Sequence, residues 1–119
     1  MNEYKQEMIV TEQHTAEKLG SGTLPVFATP ALVAFMENTA MKMIELPDGE
    51  TSVGISIHVR HLKASAVGET ITCKAKITEI DGRKYSFTLE ATDNTGVLIG
   101  DGTHERFVVN IEKFMSKVR

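Results

Sequence analysis

A long apolar stretch between residues 29 and 46 limits the fold of this chain more than any other feature. Thr29 and Pro30 predict a helix start, because threonine is a good N-cap and proline fits the first helical turn. Pro47 and Gly49 predict where the helix ends. The positions between them are mostly apolar outside one narrow polar stripe, so the sequence predicts a long helix that is covered on most of its surface.

Glu37 breaks this pattern. At 100° per residue its neighbours on the helix surface are Val33, Met41 and Ile44, so a carboxylate falls on the face expected to be buried. An unpaired buried carboxylate is costly, so this group must find a partner, take up a proton or line a cavity. A structural pair with a buried Arg or His and a functional site both satisfy that requirement.

The hydrophobic period changes to two after Asp48-Gly49 and predicts four strands in series, after a possible first strand over residues 7–11. Asp81-Gly82 predicts a type I′ hairpin turn, and residues 93–96 predict a second turn. Gly100 and Gly102 predict a bulge or a close approach to the backbone. The residues predicted to face the core are Val53, Ile55, Ile57, Val59 and then His61 on one strand, Ile71, Cys73, Ala75 and Ile77 on the next, and Tyr85, Phe87, Leu89 and Ala91 on the third.

These elements predict an α+β fold in which an antiparallel sheet of about five strands curls around one long helix. The 119 residues, 41% of them hydrophobic, suit one domain spanning residues 1–119. Such a sheet has exposed edges, so a homodimer or a higher homo-oligomer is expected.

Composition excludes several function classes. The net charge of −3 is spread along the chain, which gives no footprint for nucleic acid or an anionic membrane. No apolar run reaches the length of a membrane span, and Met1 leads into a polar segment that does not match a leader. A lone cysteine, Cys73, cannot form an internal disulfide, so a cytoplasmic location is expected. His58 and His61 face opposite sides of a strand, so no metal is predicted. Residues 96–102 lack the spacing of dinucleotide-binding and phosphate loops, so no cofactor is predicted.

Three polar groups then remain: Thr29, Glu37 and His61. Hydrolysis of an ester or thioester needs a base and hydrogen-bond donors for the developing oxyanion. The helix-start amides of Ala31 and Leu32 are candidate donors. Thr29 and Glu37 are about 12 Å apart along the helix axis, so a site that uses both must be extended or shared between subunits.

Three segments carry a family resemblance: Val26-Phe-Ala-Thr-Pro-Ala-Leu-Val-Ala-Phe-Met-Glu37, Val53-Gly-Ile-Ser-Ile-His-Val-Arg-His61 and Gly100-Asp-Gly-Thr-His-Glu-Arg106. Together with the ending, residues 112–119, the chain resembles the hot-dog-fold thioesterases, specifically the fluoroacetyl-CoA thioesterase group. The resemblance implies a catalytic Thr29, Glu37 and His61, with Gly54 and Arg106 shaping the site. It also implies a dimer with its active sites at the interface.

One position departs from the family pattern. Thr23 stands where the fluoroacetyl-specific members have a phenylalanine lid, so the resemblance implies a general short or medium acyl-CoA as substrate. Two alternatives stay open: a module that binds an acyl-CoA or another acylated ligand without turnover, and a buried structural pair of Glu37 with His61. Hydrolysis through a threonine ester and direct attack by water also both stay open.

Overall fold

The computed structural model describes residues 2–119; Met1, on which the prediction about a leader partly depends, lies outside them. Within this range five strands form one antiparallel sheet in the spatial order β1-β3-β4-β5-β2. The strands are β1 (Glu3–Ile9), β2 (Glu50–His61), β3 (Thr70–Asp81), β4 (Lys84–Thr92) and β5 (Leu98–Asn110), and the helices are α1 (Ala16–Leu19), α2 (Thr29–Met41) and α3 (Ile111–Ser116), with a 3₁₀ turn at Glu12–His14. The predicted α+β hot-dog arrangement is confirmed. No helix in residues 2–119 is long and apolar enough to cross a membrane.

The core lies between α2 and one face of the sheet. Leu32, Met36 and Ala40 repeat every four residues along α2 and are all fully buried. The predicted alternation on β3 and β4 is confirmed, because the inward positions are buried or packed against the core. These inward residues are Ile71, Cys73, Ala75 and Ile77 on β3, and Tyr85, Phe87, Leu89 and Ala91 on β4.

The predicted facing of β2 is wrong over its first half. Gly54 pairs with Arg106 and Ser56 pairs with Glu105, so Ile55 is an extra residue in a bulge. The bulge reverses the inward and outward alternation of the residues that precede it. Ile55 itself is 51% exposed instead of buried. As a result Gly54, which the simple alternation places on the outer face, lies on the face that α2 covers.

The boundaries of α2 also differ from the prediction. Its N-cap is Ala28, which offers no side-chain cap, and Thr29 is the first helical residue. The helix ends at Met41, five residues before the predicted end at 46. The amides of Met43 and Ile44 bond to carbonyls three residues earlier, which tightens the chain out of the α-helical ladder.

The turns show how glycine is used in this sheet. The β3–β4 hairpin closes between Asp81 and Lys84, with a positive φ of 61° at Gly82 and none at Arg83. A type I′ turn needs positive φ at both central residues, so the predicted turn type is wrong, and the geometry is that expected of type II′. The predicted close approach at Gly100 is confirmed, since a Cβ there would lie 2.9 Å from both the Arg60 carbonyl oxygen and Leu32 Cδ2.

Asp93 ties the β4–β5 turn to the segment that follows β2. Its carboxylate lies 2.6 Å from Lys63 Nζ and accepts hydrogen bonds from Thr95 and from the Val97 amide. Lys63 and then Thr95 hold the pKa of Asp93 well below its usual range. Because Lys63 follows His61 by two residues, this ion pair helps to fix where β2 ends.

Replacing Asp93 with asparagine is expected to lower the melting temperature at pH 7. The folded-state pKa of Asp93 lies below its unfolded value of about 3.9, so its contribution is fully present above that value and is lost as pH falls through the folded-state pKa. Calorimetry should therefore show a difference in melting temperature that is constant from about pH 7 to about pH 5 and shrinks between about pH 5 and about pH 2. Replacing the exposed neighbour Asn94 with alanine is the control, and a difference that does not change with pH would contradict the account.

Candidate active site

The start of α2 meets the end of β2 through a hydrogen bond between Thr29 and His61. Thr29 Oγ1 lies 2.8 Å from His61 Nδ1. The chain reaches this point extended, because the amide of Phe27 donates to the Ser65 carbonyl and that of Ala28 donates to the His14 carbonyl. With Ala28 as N-cap, the Thr29 hydroxyl does not cap the helix and is available to the imidazole.

Burial lowers the pKa of His61, and the Lys63 backbone only partly opposes this shift. The imidazole is therefore neutral at neutral pH. In the tautomer protonated at Nε2, Nδ1 accepts the Thr29 hydroxyl proton, which is how a general base activates an alcohol. His61 Nε2 is buried and has no hydrogen-bond partner among residues 2–119. The ring therefore presents Nδ1 to Thr29, while Nε2 is buried without a hydrogen bond to any described residue.

A cavity of about 270 Å³ opens beside this pair. Its lining is mostly apolar and includes Ala16, Val26, Phe27, Leu62 and the polar Ser21 and Lys63. The first amides of a helix have no intrahelical acceptor, which leaves the Ala31 amide free to donate, two residues after the cavity-lining Thr29. The Leu32 amide donates to the Ala28 carbonyl and its side chain is fully buried, so the prediction of Leu32 as an oxyanion donor is wrong.

Glu37 lies in a second group of polar residues farther along α2. It is half-buried and has no hydrogen bond or ion pair within residues 2–119. A Cβ built on Gly54 would lie 2.9 Å from Glu37 Oε2, 3.2 Å from His104 Cε1 and 3.5 Å from Arg106 Nη1. The missing side chain of Gly54 thus leaves a small space bordered by a carboxylate, an imidazole and a guanidinium.

Burial and the charge of Glu37 shift the pKa values of Arg106 and His104 in opposite directions. Burial lowers the pKa of Arg106, and the charge of Glu37 raises it. Burial also lowers the pKa of His104, with Glu37 again acting in the raising direction. Arg106 is 6% exposed and Glu37 is half-buried, so Coulomb forces between these groups act more strongly than in water.

The Thr29–His61 pair (the Thr29 group) and the polar residues around Glu37 (the Glu37 group) do not meet within one chain. Thr29 and Glu37 are about 12 Å apart along α2, and His61 and Gly54 are seven residues, or about 23 Å, apart along β2. The structure therefore brings Thr29 together with His61, and Glu37 together with Gly54 and Arg106. A pair of Glu37 with His61 is not formed inside the chain.

His104 and Ser52 contact Arg106 and were not found from the sequence. His104 is 1% exposed and its Nε2 lies 3.2 Å from Arg106 Nη1. Its two-residue spacing from Arg106 on one strand is the signal that places both on the same face. No three His, Cys, Asp or Glu side chains of the described range are arranged to hold a metal ion.

The family model for the fluoroacetyl-CoA-specific thioesterase matches residues 10–112. The chain is 41% identical over 96 residues to the fluoroacetyl-CoA thioesterase of Streptantibioticus cattleyicolor, covering 79% of this chain and 68% of that protein. The chain belongs to the fluoroacetyl-CoA-specific thioesterase family.

Solved structures of a fluoroacetyl-CoA thioesterase agree with this membership. One superposes with a TM-score of 0.93 at 34% identity and covers 98% of this chain and 92% of that chain. A mutant of that enzyme in complex with fluoroacetate and CoA gives a TM-score of 0.89 at 32% identity, covering 94% and 95% of the two chains. The family resemblance stated from the sequence is confirmed.

His61 is expected to titrate below its ordinary value of 6.5 when followed by NMR, because burial disfavours the imidazolium. A Thr29→Val variant removes the hydroxyl and keeps the burial, so its midpoint should also stay below that value. A His61→Asn variant assigns the resonance. A wild-type midpoint at or above 6.5 would contradict the neutral base described above.

Proposed function

We propose that this protein is an acyl-CoA thioesterase that hydrolyses a short or medium acyl-CoA without a cofactor. The observation that carries the proposal is the 2.8 Å contact between Thr29 Oγ1 and His61 Nδ1 at the edge of an apolar cavity. Selectivity for fluoroacetyl-CoA is not part of the proposal. Thr23, at the position of the family's phenylalanine lid, is small and exposed.

In the proposed reaction His61 Nδ1 takes the proton of the Thr29 hydroxyl while the oxygen attacks the thioester carbonyl carbon. The helix-start amide of Ala31 donates to the oxyanion, aided by the positive end of the α2 dipole. The carbon–sulfur bond then breaks, and the His61 imidazolium gives its proton to the departing CoA sulfur, which leaves as the thiol. The Glu37 carboxylate takes a proton from water as the water oxygen attacks the threonine ester, and that proton passes to the Thr29 oxygen when the ester bond breaks and the carboxylic acid leaves.

Glu37 can take part only if the two polar groups come together between subunits. β2 lies at an edge of the sheet, where Ile55 and Ile57 are 51% and 36% exposed. Antiparallel pairing of this edge with a second copy, about a two-fold axis between Ile57 and His58, would place Gly54 opposite the partner's His61. We therefore propose a homodimer with two active sites at the interface, each using Glu37, Gly54 and Arg106 of one subunit and Thr29 and His61 of the other.

We propose that residues 1–119 are one thioesterase domain and that it acts in the cytoplasm. Cys73, the lone cysteine, fits a reducing setting. It is fully buried, and burial raises the pKa of its thiol to about 11, so it packs in the core and is not a nucleophile.

Glu37→Gln, His61→Ala and Thr29→Ala are each expected to lower kcat by about 10²–10⁴-fold, because each removes a base or the attacking oxygen. Thiol release should be measured across acyl-CoAs of graded chain length, and then with acyl-carrier-protein thioesters.

A matched control lies on the surface of the same chain, outside the proposed interface strand. Glu45→Gln changes an exposed residue of the same type as Glu37 and should keep wild-type rates. Wild-type rates from the three site variants would remove the assignment. Tight binding of acyl-CoA by calorimetry with no thiol release by the wild-type protein would favour a binding module instead.

Mixing two inactive variants tests the shared site. A heterodimer of Thr29→Ala and Glu37→Gln subunits keeps one intact site of two, so random exchange should restore roughly a quarter of wild-type activity. Refolding the variants together and measuring thiol release gives the readout. No recovery, despite subunit exchange shown by mass spectrometry, would contradict a site built from two subunits.

A further inference from the structure

His104 lies on the inner face of β5, opposite Ile57 of β2, and is 1% exposed. Its ring stacks on Phe87 with centroids 6.0 Å apart. An imidazole at this depth needs a partner for each nitrogen, because an unsatisfied buried polar atom is costly. Both nitrogens have one.

The two partners define the protonation of the ring. Nδ1 lies 2.7 Å from the Ser56 carbonyl oxygen, which can only accept, so Nδ1 carries a proton. Nε2 lies 3.2 Å from Arg106 Nη1, which can only donate, so Nε2 is the unprotonated acceptor. Burial lowers the pKa of His104, and the charge of Arg106 lowers it further, against the raising effects of the Ser56 carbonyl, Glu37 and Glu105. The ring is neutral in one tautomer.

Arg106 is itself 6% exposed and is held at three nitrogens. Nε donates to Ser52 Oγ at 2.8 Å and Nη2 donates to the Ser52 carbonyl at 2.9 Å. Nη1, the nitrogen that His104 holds, is also the one that lies 3.5 Å from a Cβ built on Gly54. Nη1 has a second N–H beyond the one given to His104, so it can serve a group in the space beside Glu37.

We propose that His104 is a positioning residue for thioester hydrolysis, which accepts a hydrogen bond from Arg106 Nη1 and so holds the guanidinium beside Gly54 and Glu37. The role rests on the proposed function, because the positive charge matters where negative charge develops on substrate or on the attacking water. Without the imidazole acceptor, Ser52 alone would hold the guanidinium, through Nε and Nη2, and the planar group could pivot about these two contacts and carry Nη1 away from Gly54.

A competing role for His104 is purely structural. Its Nδ1–H bond to Ser56 also fastens β2 just after the bulge residue Ile55. The two roles use different nitrogens of the same ring, so variants that preserve one nitrogen at a time separate them.

The decisive pair is His104→Gln and His104→Asn. A glutamine amide reaches the position of Nε2 and can accept from Arg106, whereas an asparagine amide reaches only the position of Nδ1 and can donate to Ser56. We expect the Gln variant to keep kcat within about threefold, and the Asn variant to lose about 10²-fold in kcat with a similar KM. Their melting temperatures should be similar.

The reverse order, with Asn active and Gln inactive, would overturn the proposal in favour of the structural role. Equal rates in the two variants would overturn it as well. ¹⁵N NMR of wild-type His104 provides a test that needs no activity, and an imidazolium or an Nε2–H tautomer at pH 7 would overturn the link to Arg106. If the wild-type protein hydrolyses no thioester, the catalytic role fails with the proposed function, while the NMR result still shows whether the link exists.

Discussion

The site depends on how α2 is seated on the sheet. Leu32, Met36 and Ala40 anchor it along one stripe, and burial of each large side chain contributes about 1.5–3 kcal/mol. A helix anchored at three successive turns cannot slide or rotate cheaply, because interiors are close-packed. The distance between Thr29 and Glu37 is therefore fixed by helix geometry, and the surrounding elements must bring their partners to the two positions.

The sheet brings partners to Thr29 and to Glu37 in two different ways. At the start of α2, the end of β2 supplies His61, and the ion pair of Asp93 with Lys63 fixes the chain just beyond it. Farther along α2, the bulge at Ile55 turns Gly54 inward, and the absence of a side chain there leaves space beside Glu37. The same strand thus serves both groups, and the bulge between them lets each face α2.

The electrostatics of the two groups suit different steps. Thr29 and His61 carry no formal charge at neutral pH, which suits an imidazole that must take up a proton. The Glu37 group contains a half-buried carboxylate and a buried guanidinium, which suits stabilisation of developing charge. A dimer that joins them would place a base and a charged pocket on either side of one thioester.

Much of this fold follows from local patterns in the sequence. The alternation on β3 and β4 predicts their buried faces, and the apolar run of α2 with its anomalous Glu37 predicts the central helix. Alternation fails on β2 because a bulge leaves no mark in hydrophobicity, and its position depends on pairing with Arg106 of β5. The end of α2 is set by hydrogen bonds from the Met43 and Ile44 amides to carbonyls three residues earlier, and no capping residue in the sequence marks this end.

The candidate site was predictable to the extent that its residues were anomalous. Glu37 and His61 stand out as polar groups at apolar positions, and the family resemblance adds Gly54 and Arg106. The contact of His104 with Arg106 could not be derived from periodicity, because a histidine on an inner face looks the same with or without a partner. Ser52 likewise matters only through the guanidinium it holds.

A crystal structure of the protein with a non-hydrolysable ketone analogue of a short acyl-CoA tests the central claim most directly. The account predicts the analogue's carbonyl carbon within about 3.5 Å of Thr29 Oγ1 of one subunit, with Glu37 of the other subunit facing the same carbonyl. A carbonyl bound away from Thr29, or a Glu37 that faces solvent in the assembled protein, would contradict it.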